Sequence, residues 1–362
     1  MEYIDFEILS MAFSNYRKET SERSDRVNWT KQVLMQSTPY YFDAIEGCNQ
    51  SNLDLVVDMM ERARIDDSGQ GPDDSSSVLA NIISLEGKDV LQRKINFANK
   101  FNVCLSYVLY CNENLHVYLY SITSTSTCIL LHTFNSFDSF ADYISQRKGW
   151  RSSKPFMERE DLPEFDKALR RSSCPWPTNI DCFICDRNNN PIGVLEFQNA
   201  DTVTVVRHCN NEFFLCKRTK IEYGRVSYID DVRRWHSQEI LREQSGLRLF
   251  IIVWEKTSKT FTLKEVKRIT FPDLRCINAY QYKEDMHKYQ ETKDRKYGNK
   301  IASTYNSYNL KYNGVEMQKI CHRPPLSAKD MSFPFIYYEY KQMSEGGEPS
   351  LSQMFIDLIE KL

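Results

Sequence analysis

Apolar and polar positions alternate along the first 150 residues in a way that predicts both helices and strands. "SNLDLVVDMMERA" from Ser51 joins a capping serine to apolar residues at helical spacing, which predicts a helix over about 52–64. The Gly/Pro/Asp/Ser-rich "RIDDSGQGPDDSSS" after it reads as a loop. "LANIISL" reads as a strand, "GKDVLQRKINFANKF" as an amphipathic helix, and "VCLSYVLY" and "HVYLYSI" as strands. Residues 1–150 are therefore expected to form an N-terminal α/β or α+β region.

A second stretch of pattern begins with "FNSFDSFADYISQRKGW", whose spaced aromatics predict a helix, and "MEREDLPEFDKALRRSS", a helix started anew at Pro163. "CPWPTN" forces an extended approach into "IDCFICDRNNNPIGVLEFQNAD", two apolar strands around a polar turn. "SYIDDVRRWHSQEILREQSG" predicts a helix capped by Ser227 with Asp230 and stopped by Gly246. "LRLFIIVWE" then reads as a strand buried on both faces. Residues 151–275 are expected to hold this core and 276–362 a C-terminal extension ending in the amphipathic "SLSQMFIDLIEKL". No repeat at fixed period is visible.

Composition narrows the class without naming a ligand. With 362 residues and 41% hydrophobic content the chain can bury a large core. A net charge of −2 gives no global attraction for a polyanion, so any nucleic-acid contact must be local. The 11 cysteines lie mostly in apolar runs and read as reduced, buried thiols. The opening "MEYIDFEILSMAF" lacks signal-peptide features, and no run approaches the length of a membrane span, so a cytoplasmic protein is expected.

The chemistry is concentrated in the hairpin. Residues two apart on a strand share a face, so Glu196 and Gln198 point the same way, and a turn at "DRNNNP" brings Asp181 beside one of them. Two carboxylates and an amide oxygen suit a hard cation such as Mg²⁺, which keeps several waters and leaves positions for a phosphate. Such a cation polarises a phosphodiester and activates a water, and it lets two adjacent carboxylates stay ionised. Three polar residues on a strand are also compatible with an ordinary solvated hairpin.

"TNIDCFICDRNNNPIGVLEFQNAD", followed by a helix and a buried strand, resembles the PD-(D/E)xK nuclease superfamily over about residues 157–255. That resemblance implies an α/β, restriction-endonuclease-like core, a central mixed β-sheet flanked by helices. The family's order is a helix, a three-strand meander carrying Asp and then Glu-x-Lys, a second helix and a further strand. It implies Asp181 and Glu196 as metal ligands for Mg²⁺, with Mn²⁺ as a substitute, and double-stranded DNA as substrate of a homodimer. Gln198 stands in the family's lysine position, as in some restriction endonucleases of this fold. Its loss of charge leaves catalysis more dependent on the metal or on a lysine from elsewhere: Lys217 or Lys220, or Arg233 or Arg234 on the next helix. Glu164 is a further acidic contributor in the manner of some family members.

Other signals are weaker. "LEGKD" puts Glu86 and Lys88 in a rival Glu-x-Lys with no strand aspartate shortly upstream. "CFIC" has Cys-x-x-Cys spacing but inside a strand, where Cys182 and Cys185 face opposite sides and do not make a zinc pair. His208 and His236 lack a nucleophile at a recognisable spacing, and no phosphate-binding glycine loop occurs. Between Lys283 and Lys311 seven Lys/Arg face four Asp/Glu among tyrosines and asparagines, the first place to look for DNA contact. The expected function is a metal-dependent DNA endonuclease most like a type II restriction enzyme. The competing readings are a non-catalytic nuclease-fold protein that binds DNA or a partner, and a defence nuclease acting on other nucleic acid.

Overall fold

The structure is a computed structural model and describes residues 16–19, 34–51, 55–66, 72, 74–152, 162–175, 177–199, 220–222, 225–227, 232–254, 261–266, 291–292, 335–340, 356 and 359–360. The chain divides into two compact units. One comprises Met1–Glu196, Glu243–Leu247 and Pro349–Leu362, the other Phe197–Arg242 and Arg248–Glu348.

In the first unit the strands are β1 (Tyr16–Arg17), β2 (Tyr41–Gln50), β3 (Val56–Ile65), β4 (Leu105–Tyr110), β5 (Val117–Ser124), β6 (Thr127–Phe134), β7 (Thr178–Cys185) and, as far as Glu196, β8 (Pro191–Asn199). Their order is β8-β7-β2-β3-β4-β5-β6, with β1 paired to the end of β3. Among the described strands of this unit only β3 and β4 pair in parallel; the other pairs are antiparallel, so the sheet is mixed. A parallel pair needs a crossover. It is supplied by helices α1 (Ser75–Glu86) and α2 (Lys88–Asn99), while α3 (Phe137–Lys148) and α4 (Glu164–Arg171) follow β6.

Strand parity sorts the layers. Met60, Val108 and Tyr110 join Phe137, Phe140, Ile144, Phe165 and Leu169 of α3 and α4 in one core, where Tyr110 stacks on Phe165 at 4.1 Å. Their odd-numbered neighbours Glu61 and Tyr107 turn to the opposite face and meet α1 and α2. There Phe97 of α2 stacks on Phe183 of β7 at 4.4 Å. This is the expected mixed α/β architecture, a sheet with helices on both faces.

Two sequence expectations change in this unit. The helix expected over 52–64 is replaced from Val56 on by a strand: β3 occupies Val56–Ile65, and Asp58 is a strand residue. Its charged residues mimicked the polar face of a helix, but Glu61 and Arg62 are buried and ion-paired. "LANIISL" lies in α1, not in a strand. Asp74 caps the helix, accepting from the Ser76 and Ser77 amides, and Val78, Leu79 and Ile82 bury one stripe. Gly87, at φ 86°, ends α1 and starts α2, a backbone setting that an L side chain rarely takes.

Helix α5 (Val232–Ser245) ends at Gly246, with φ 69°, as the pattern required. Ser227 is not its cap, for it closes a short strand, β10 (Arg225–Ser227), paired with β9 (Lys220–Glu222). In the second unit β11 (Arg248–Trp254), β12 (Phe261–Val266) and β13 (Phe335–Tyr340) are antiparallel neighbours. Leu249, Phe250, Ile251 and Ile252 are buried, in line with the expected two-faced strand. Arg248 donates to Glu265 at 2.7 and 2.8 Å, a bidentate pair joining β11 to β12. Among the described residues no helix is long and apolar enough to cross a membrane.

Candidate active site

The turn at residues 186–190 is built by its own side chain. Asp186 accepts from the amides of Asn188 and Asn190, both at 2.8 Å, and from the Asn190 side chain at 3.0 Å. Asn189 takes the left-handed region at φ 61°, which asparagine tolerates. Its carbonyl accepts from Asn96 of α2 at 2.9 Å, which ties the turn to the helix layer. Next to it Arg93 donates to Asp43 of β2 at 2.6 and 3.2 Å and lies over Tyr41.

From this turn the β7–β8 ladder runs to Cys182↔Leu195. Asp181 and Glu196 are the next residue of each strand, so their backbone positions are neighbours across the hairpin. Glu196 is fully buried and Asp181 half-buried. On its other side β7 pairs with β2, and the register slips by one between Asp43↔Phe183 and Ile45↔Ile180. Asp181 and Cys182 thus face Ala44 together, a bulge at the aspartate itself. Bulges re-aim a side chain and interrupt pairing, and they recur beside active sites.

Gln198 follows two residues later on β8; its side chain lies outside the described residues, as do those of Lys220 on β9 and of Arg233 and Arg234 on α5. Lys217, His208 and the basic segment around 283–311 lie outside the described residues, Glu291 and Thr292 apart. Glu164 opens α4, where its exposed carboxylate receives Lys167 at 2.7 Å, and that bond holds its pKa below the ordinary value. Cys182 and Cys185 are buried thiols on β7 that form no disulfide. Among the described residues no three His, Cys, Asp or Glu side chains gather as a metal cluster. A cation at Asp181 and Glu196 would complete its shell with water or phosphate oxygens.

Glu86 and Lys88 part company at the α1–α2 junction. Lys88 is exposed, while the Glu86 carboxylate turns inward to a lysine the motif did not contain, Lys94, at 2.8 Å. Lys94 also meets Glu61 at 2.9 Å, Lys18 pairs with both glutamates, and the Tyr107 hydroxyl donates to Glu86 at 2.8 Å. Burial alone would raise the Glu86 pKa, but Lys94 and Lys18 hold it down at about 2. Burial and the same two glutamates push Tyr107 well above the usual tyrosine range. Two ammonium groups against two carboxylates make a closed set with no charge left for a metal. Its signal in the sequence was a set of charges on the buried strand β3, visible only once that strand is recognised.

On the opposite face Arg62 donates to Asp166 of α4 at 2.6 and 3.1 Å, pairs with Glu46 at 3.0 Å and lies over Phe165. It fastens α4, the helix preceding the hairpin, to β3. Compared with protein-family models, with curated proteins and with solved structures, the chain finds no match.

Proposed function

We propose that the chain is a metal-dependent DNA endonuclease with its active centre on the β7–β8 hairpin. The observation that carries the reading is the placement of Asp181, in a bulge, and buried Glu196, each the next residue along its strand from the Cys182↔Leu195 pair. An aspartate and a glutamate are the donor set that Mg²⁺ takes, the rest of its shell being water and substrate oxygens.

The order of elements supports the reading. Helix α4, strands β7 and β8 and, after the short pair β9–β10, helix α5 and strand β11 come in the order in which the PD-(D/E)xK core has its first helix, Asp and Glu-x-Lys strands, second helix and further strand. The chain differs in its meander. No described strand separates α4 from β7, and the place beside β7 is taken by β2 from the N-terminal part.

Asp181 and Glu196 would hold the cation, Mg²⁺ or Mn²⁺, which when bound polarises the scissile phosphate and acidifies a water. Gln198 would position that water through its amide oxygen. Lacking a lysine's charge, Gln198 leaves neutralisation of the phosphate to the metal and to basic residues elsewhere on the chain. Double-stranded DNA is the proposed substrate, and two protomers would be required to cut both strands at a symmetric site.

Gln198 also favours a second reading, a DNA- or partner-binding protein that has given up cleavage. Supercoiled plasmid incubated with Mg²⁺ separates the two. The endonuclease reading requires that the parent protein nick or linearise the plasmid and that Asp181→Ala and Glu196→Ala abolish cutting. Variants that cut as well as the parent refute the assignment.

A further inference from the structure

Strand β6 closes one end of the first unit's strand order, and among the described residues it pairs with β5 alone. Ile129, Leu130 and Leu131 stand in succession along it, 53%, 43% and 46% exposed. His132 and Thr133 are exposed as well. The ladder with β5 slips between Leu119↔His132 and Tyr120↔Leu130, so Leu131 is an extra, unpaired residue that bends the strand.

Edge strands of monomeric proteins are blunted by lysine, proline, inward charge or a bulge. Here the bulge presents a leucine, and the other guards are missing. From Asn114 to Phe137 the sequence contains no Asp, Glu, Lys or Arg, although 27% of the chain is charged. The helix packed against β6, α1, is also free of charge from Ser75 to Leu85. The neutrality therefore extends beyond the edge strand to its neighbours.

We propose that β6 is the contact through which two copies of this chain associate, edge to edge and antiparallel about a two-fold axis. A two-fold contact sets a patch against itself, so any charge on it meets a like charge. An uncharged strand with three adjacent aliphatic residues is self-complementary by composition. A charged partner would find nothing on β6 to read. Antiparallel pairing also uses up the edge, since each strand supplies the amides and carbonyls that the other lacks, and it leaves no template for further addition.

The inference rests on β6 alone, and it names the surface by which the two protomers of the proposed endonuclease would meet. Sedimentation equilibrium of the full chain without DNA, from about 1 to about 100 µM, tests it. The parent protein is expected to be dimeric. Leu130→Lys, and separately Leu131→Lys, should weaken association by at least ~100-fold, because each places like charges across the axis. Their circular dichroism should not change, since both side chains are exposed. Hydrogen exchange at the β6 amides of the parent should slow as concentration rises. A parent that stays monomeric throughout, with fast β6 exchange, refutes the inference and leaves the edge to another occupant. Folded lysine variants that dimerise like the parent refute it too. Cleavage plays no part in these readouts, so an inactive dimer would sink only the endonuclease, and an active monomer only the interface.

Discussion

The Lys94 ammonium lies 2.9 Å from the Glu61 carboxylate, and both side chains are almost wholly buried. The pair ties helix α2 to the central strand β3. Without Lys94, Lys18 would stand alone against Glu61 and Glu86, one buried carboxylate in excess, and an uncompensated buried charge typically costs about 3–5 kcal/mol. Lys94→Met should therefore lower unfolding stability by roughly that much in urea titrations. A loss within experimental error would mean that Lys18 alone suffices for both carboxylates and would refute the prediction.

Acid should weaken the same cluster. The folded-state pKa of Glu86 is depressed to about 2 from an ordinary value of 4.5, so its contribution is fully present above pH 4.5 and lost as pH falls toward 2. Glu86→Gln should flatten the stability profile in that window and leave its slope above pH 6 unchanged. Urea midpoints of the two proteins between pH 2.5 and pH 6 provide the comparison.

Lys148 gives the opposite dependence. It is 3% exposed at the end of α3, facing Cys48, Cys174 and Asp58 and lying near the Trp150 ring. Burial lowers its pKa from 10.5 to about 8, against the attraction of those neighbours. Its protonated form is thus favoured in the unfolded chain, and stability contributed by Lys148 should rise between pH 8 and pH 10.5. The full difference is roughly 3 kcal/mol, from about 1.4 kcal/mol per pKa unit. Lys148→Met should raise stability at pH 7 and abolish that part of the rise, as chemical denaturation at pH 7, 8.5 and 10 would record.

The sequence was most legible where pattern and burial agree. The aromatics of α3, the proline start of α4, the polar turn around Asp186 and the apolar run of β11 all stand as their local chemistry indicates. The hairpin that joins Asp181 to Glu196 was readable for the same reason, because a self-capping turn fixes strand pairing. It was not readable that Asp181 lies in a bulge, since that depends on β2, more than 130 residues earlier. Strand β3 was hidden by its own charges, because Glu61 and Arg62 look like solvent-facing residues until Lys94 and Asp166 arrive from distant helices. Glu86 and Lys88 looked like a motif because spacing cannot reveal that Gly87 breaks the chain between two helices.

The central claim is that Asp181 and Glu196 hold a divalent cation, and calorimetric titration with Mn²⁺ tests it most directly. The account predicts that the parent protein binds Mn²⁺, and that Asp181→Asn and the isosteric Glu196→Gln each weaken binding by at least ~10-fold while keeping the parent's circular dichroism. A parent that binds no Mn²⁺, or folded variants that bind it as tightly as the parent, would contradict the account.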